Sequence, residues 1–199
     1  MKKWSLMLIL WSSGAAVVWS HDVLAVHPDF LQSYLEGRKQ ALAPEQLAQR
    51  ADWFECSEQD TEKSWCSEPF YYYATRVWAQ TGEATPIARP SLILHSDYTL
   101  HSWSQLQLGL RSDGFELRKV TVGEARFDVV RRLQHQTPQQ VDRELMLFIS
   151  QHARQFPKTL YWQARYGFAE LHSNAQSVQL LFTQAPVSTL WDDAAETQP

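Results

Sequence analysis

The chain reads as an α+β protein, an N-terminal signal-anchor helix followed by one antiparallel-sheet domain with a long helix packed on the sheet. Three observations predict this. Sixteen residues without a charge, Trp4–Trp19, follow Lys2 and Lys3. Several later segments alternate apolar and polar side chains with period two, the pattern of half-buried strands. Among them lies one well-bounded helix that begins at Thr137-Pro138 and stops at Pro157, in place of the β-α alternation that signals a parallel sheet.

The apolar stretch sets the compartment. At about 1.5 Å per residue it falls somewhat short of a ~30 Å hydrocarbon layer. Trp4 and Trp19 suit the two interfaces, and the lysines can snorkel. A cleaved signal peptide remains the alternative, with Val18-Trp19-Ser20 and Val23-Leu24-Ala25 only partly fitting the small-residue rule for cleavage. Either way the remainder is exported: no Lys or Arg lies between Trp19 and Arg38, so the positive-inside bias keeps the N-terminus in the cytoplasm. The expected organisation is a signal anchor or signal peptide over residues 1–20 and a tether with a short helix over 21–43. A periplasmic α+β domain follows over 44–186, then a flexible tail over 187–199. The expected location is the bacterial inner membrane, crossed once.

Charge narrows the partners. Setting Lys2 and Lys3 aside leaves 16 basic against 22 acidic residues, so the exported part carries −6. Nucleic acid needs a basic footprint, which is lacking, and an anionic membrane surface is equally disfavoured as the main partner. Cys56 and Cys66 lie close together in CSEQDTEKSWC and are expected to pair in an oxidising compartment. Zinc does not suit them, for want of CxxC spacing and nearby histidines.

Taken in order, Pro28 opens a helix to Glu36 with Phe30, Leu31, Tyr34 and Leu35 on one face and Gly37 as its stop. Pro44 opens a second, through Leu47, Ala51 and Phe54. Phe70–Trp78 is aromatic and β-branched, hence a strand; Thr81–Pro90 is a loop, and Ser91–Leu94 begins the next strand. Ser104–Arg111 alternates, with Leu106, Leu108 and Leu110 inward. Ser112-Asp113-Gly114 is turn chemistry leading into Phe115 and Leu117, so a hairpin is expected over 104–117. Gly123 marks another turn before Ala125–Leu133, read as a strand, although Phe127, Val130 and Leu133 also suit a helix. Thr137 caps the long helix, with Gln140 closing a capping box. Val141, Leu145, Phe148, Ile149, His152 and Phe156 form its apolar stripe. A strand from Leu160 to Phe168 and another through Val178, Leu180 and Phe182 then make a final hairpin turning at His172–Ala175. The expected core joins Leu106, Leu108, Leu110, Leu145, Ile149, Trp162 and Phe182.

Chemistry is sparse. No GxGxxG, Walker, HExxH or GxSxG pattern occurs, and no catalytic, cofactor-binding or metal-ligating set is assigned. His95, Asp97 and His101 lie in LHSDYTLH with one strand parity, but surface polar residues account for them. His152 reads as a core-edge histidine, and Ser150 falls on a different helix face from it. His21 could chelate copper as a new N-terminus after cleavage at Ser20, a site the cleavage rule does not favour. Trp53, Trp65, Trp78, Trp103, Trp162, Trp191 and Tyr71–Tyr73 either fill a small sheet domain or recognise a sugar or protein. Two functions are therefore expected from different classes. One is a tethered, non-enzymatic protein that binds another envelope protein. The other is a soluble exported module that takes a small ligand or glycan through its aromatics, with scattered catalytic residues as a variant.

Overall fold

A computed structural model describes residues 27–36, 44–56, 64–81 and 91–183. The anchor stretch Trp4–Trp19, His21, most of the tether, the interior of the cysteine loop and the tail with Trp191 lie outside them. Among the described residues no helix is long and apolar enough to cross a membrane.

The class is α+β, and the sheet is antiparallel at every pairing. Its strands are β1 (Trp53–Glu55), β2 (Trp65–Ser67), β3 (Phe70–Tyr72), β4 (Thr75–Thr81), β5 (Leu92–Asp97), β6 (Glu116–Val122), β7 (Ala125–Asp128), β8 (Lys158–Gln163), β9 (Phe168–Ser173) and β10 (Ser177–Thr183). They run β1-β2-β4-β5-β10-β9-β8-β6-β7 in space, with β3 paired to β4. The helices of the described residues are α1 (Asp29–Leu35), α2 (Pro44–Leu47), α3 (Leu100–Ser112), α4 (Val129–Leu133) and α5 (Pro138–Gln151).

Register explains the core. Ala79, Leu94, Leu180, Leu171, Leu160, Val120 and Phe127 are directly opposed from one strand to the next. All seven are buried. Side chains alternate across a strand, so this row belongs to one face. That face is covered by Phe30, Leu31 and Tyr34 of α1 and by Leu106 and Leu110 of α3, which lies against β4 and β10. The backbone of α3 approaches closely at Gly109, where an added Cβ would stand 2.6 Å from the Tyr73 ring.

Several expectations are corrected here. Ser104–Arg111 is helix, not strand: Thr99 and Ser102 form a reciprocal capping box at its start. Buried Ser102, Leu106, Gly109 and Leu110 then follow helical spacing, while Leu108 points to solvent. Asp113-Gly114 ends that helix instead of turning a hairpin. The Phe115 amide bonds the Leu110 carbonyl and the Gly114 amide that of Arg111, with Gly114 at φ 83°, a Schellman stop. Phe70–Trp78 is two strands joined through Tyr73-Ala74, with Tyr73 at φ 51°. The second helix ends at Leu47, after which Trp53 is buried on β1 and Phe54 exposed. Ala125–Leu133 divides into β7 and α4, the latter capped by Asp128, although the turn at Gly123 (φ 57°) stands as expected. Three strands, not two, follow the long helix among the described residues, because Ala164–Gly167 turns β8 into β9.

The helix from Thr137 has its expected capping box and Pro at the first turn but contributes less to the core than its stripe suggests. It packs on α4, which packs on β6. Val141 is buried and Leu145 and Phe148 are partly so, whereas Ile149 is exposed together with Met146 and Leu147. The helix ends at Gln151, six residues before the cis Phe156–Pro157 bond. His152 caps it, its Nδ1 2.8 Å from Gln155 Oε1 and its ring 4.7 Å from that of Phe148.

Candidate functional site

The sheet face opposite the core carries the chemistry. One residue along from the apolar row, the same register aligns Trp78, His95, Gln179, His172, Thr159, Thr121 and Arg126. Beside it run Gln80, Ile93, Leu181, Glu170, Tyr161, Lys119 and Asp128. A face that was purely solvated would not hold Tyr161 and Glu170 as buried as they are.

At its centre His172 bridges two neighbours: Nδ1 lies 3.0 Å from Thr159 Oγ1 and Nε2 3.1 Å from Glu170 Oε2. The carboxylate accepts only, so Nε2–H donates to it and Nδ1 accepts the threonine hydroxyl. Hydroxyl, imidazole and carboxylate thus stand in line. The order resembles that of a nucleophile, a base and an orienting acid, but Thr159 sits mid-strand, paired to β6 on one side and β9 on the other. The array positions His172 through both ring nitrogens.

Toward β1 the face opens into a cleft of about 660 Å³, lined by Phe54, the Cys56–Cys66 disulfide, Glu68, Trp78 and Gln80 among others. The expected cysteine pair is therefore bonded, closing a loop worth about 2–3 kcal/mol on the chain-entropy estimate. Phe54, Cys66 and Gln80 are directly opposed on β1, β2 and β4, and Trp78 follows two residues from Gln80 on the same face. The indole of Trp78 is stacked on the His95 imidazole, centroids 3.9 Å apart and planes 7° from parallel.

No family model, curated protein or solved structure matches this chain. The site is read from its own groups.

His95 is expected to titrate abnormally, because burial pushes its pKa down from 6.5 to about 4 and its Nε2 is enclosed without a partner. Below pH 6.5 the unfolded chain takes up a proton that folded His95 declines. Its contribution to stability is therefore complete above 6.5 and is lost as pH falls toward 4. Urea midpoints measured across that window should decline with falling pH, and His95→Phe, which keeps a ring against Trp78, should flatten the decline. An unchanged slope in the variant would show that His95 is not the group responsible.

The His95, Asp97 and His101 set of the sequence is not assembled. His95 and exposed Asp97 are on β5, while His101 lies exposed in the first turn of α3. Among the described residues no cluster of His, Cys, Asp or Glu could hold a metal ion. The residues missed by sequence reasoning are Thr159, Glu170 and His172. Glu170 and His172 at i, i+2 was the available signal, and reading His172 as a turn concealed it.

A second surface is apolar. On the outer side of α5, Met146 is 67 % and Leu147 57 % exposed, with Ile149 and, from α4, Leu133 also open to solvent. Arg143 stands one turn before them, and Arg132 is tied to Glu144.

Proposed function

We propose that this chain is a single-pass protein of the bacterial inner membrane whose periplasmic domain binds another envelope protein and catalyses no reaction. The observation that carries the reading is the outer face of α5. Three large apolar side chains of α5, with Leu133 of the adjoining α4, are more than scattered exposure requires, and the fold leaves them exposed among the described residues. The partner surface is apolar and rimmed by carboxylates. Residues 129–156 hold four arginines against Asp142 and Glu144, a local excess of positive charge in a chain of net −4. The tether supports the same reading, since confinement to the membrane plane raises the effective concentration of a partner held there.

Two measurements test it. The N-terminus of the mature protein should be intact and membrane-bound; a soluble chain beginning at His21 or Val26 overturns the anchor. A photo-crosslinking residue at position 146, introduced into the full chain in cells, should give one discrete adduct with an envelope protein, and a residue at Asn174 should not. Leu147→Glu should abolish the adduct without lowering the melting temperature. An adduct to lipid alone, or to a second copy of this chain, overturns the assigned partner.

A further inference from the structure

We propose that the cleft beside the disulfide is a binding site for a neutral, gluco-configured pyranose, independent of the α5 surface. A pyranose whose ring substituents are all equatorial has two chemistries. Its axial C–H groups make a flat apolar face, and its hydroxyls ring the edge. The cleft offers the complement of each.

The apolar element is Trp78. One face of its indole is stacked on His95 at 3.9 Å, and the side chain is 37 % exposed, so the free surface lies on the cleft side. Stacking on one side holds the ring still, and a platform already ordered loses little rotamer freedom when a ligand arrives. Phe54, 49 % exposed, adds a second aromatic side chain to the lining. The shape is fixed further by the Cys56–Cys66 bond, which ties the residue after β1 to β2, two strands that both line the cleft.

The polar element is Glu68 with Gln80. Both line the cleft, and among the described residues neither side chain makes a hydrogen bond or ion pair. A carboxylate accepts two hydroxyl donors, and a carboxamide both gives and accepts. Together they suit adjacent sugar hydroxyls, each of which needs a donor and an acceptor. Among the described residues no Lys, Arg or His lines the cleft, so there a phosphate, sulfate or carboxylate ligand meets the Glu68 carboxylate and no cation. The volume, about 660 Å³, falls in the range of small-ligand sites and has room for a disaccharide. An aromatic wall with a carboxylate also suits a quaternary ammonium ion, but such a cation has no use for Gln80, and the two classes are separable by experiment.

The test uses the full chain in polyoxyethylene detergent, which carries no sugar headgroup, with indole nitrogens labelled with ¹⁵N. Cellobiose and chitobiose should shift one indole resonance saturably, and Trp78→Ala should remove that resonance and weaken binding, measured calorimetrically, by about tenfold or more. Glu68→Gln and Gln80→Ala, which leave the platform intact, should each weaken it severalfold, and they keep the test decisive should Trp78→Ala fail to fold. Saturable binding of choline in place of the sugars, sugar binding indifferent to all three variants, or no binding of either disaccharide would overturn the proposal.

Discussion

Leu106→Ala is expected to cost about 2–5 kcal/mol, a large share of the ~5–15 kcal/mol that holds a domain folded. Leu147→Ala should change stability by about 0.5 kcal/mol or less. Leu106 lies on the inner side of α3, 1 % exposed, among the apolar side chains of the sheet. Its truncation leaves a cavity that a ten-stranded sheet and a helix pinned at both ends cannot collapse. Leu147 stands in solvent on α5. Leu145, half-buried against the same core, should fall between the two. Urea midpoints of the three variants give the comparison directly, and equal losses at Leu106 and Leu147 would show that the roles of the two helices have been exchanged.

The exchange of those roles is also where sequence and structure part. Leu106, Leu108 and Leu110 satisfy a strand by alternation, yet Leu106 and Leu110 at i, i+4, with Ser102 before them, satisfy a helix equally well. Asp113-Gly114 compounds the ambiguity, since the same dipeptide turns a hairpin or ends a helix with Gly in the left-handed region. The deciding signal was local: Thr99 and Ser102, three apart, cap each other, although serine is not the usual partner in that box. For α5 the reverse happened. Its cap and its proline were legible and correct, and Val141, Leu145 and Phe148 of its stripe do turn inward, but Ile149 is exposed, and amphipathicity says only that one face is apolar, not that the sheet is what meets it.

Strands were read better where burial differs between faces. β10 alternates buried Val178, Leu180 and Phe182 with Gln179 and half-buried Leu181, and so it was found. β8 is buried on both sides, Lys158 to Trp162 without interruption, and its end was missed because Ala164–Gly167 lacks a strong turn dipeptide. The second face was illegible for a different reason. Thr159, Glu170 and His172 meet through register between strands, and Trp78 meets His95 the same way. Such neighbours are distant in sequence and carry no motif. Cys56 and Cys66 were legible because a chain with two cysteines leaves a single pairing.

Asp113→Ala should destabilise the protein by about 3 kcal/mol or more, although the residue lies on no strand and at the edge of a helix. A carboxylate at a helix C-terminus faces the negative end of the dipole, so something else must hold it there. Three donors do: the Tyr72 hydroxyl at 2.5 Å, the Tyr73 hydroxyl at 2.6 Å and His27 Nε2 at 3.1 Å. Burial first, then the neighbouring carboxylate, raises both tyrosine pKa values well above the ordinary 10, so both remain protonated donors. Alanine strands the Tyr72 hydroxyl with the rest of that side chain 0 % exposed, and it releases His27, which leads through Pro28 into α1. Asp113→Asn keeps the shape and one acceptor oxygen and should lose less. A double-mutant cycle with Tyr72→Phe should show coupling of about 0.5–3 kcal/mol. Hydrogen exchange supplies a local readout: in Asp113→Ala the amides of Phe30 and Leu31 should exchange faster while those of β9 stay protected. On the proposed topology the same contact fixes where the membrane tether leaves the domain, and with it the direction in which α5 is presented. Uniform loss of protection across α1 and β9, or a stability change no larger than that of Leu147→Ala, would mean that Asp113 is not the clasp between the N-terminal segment and the sheet.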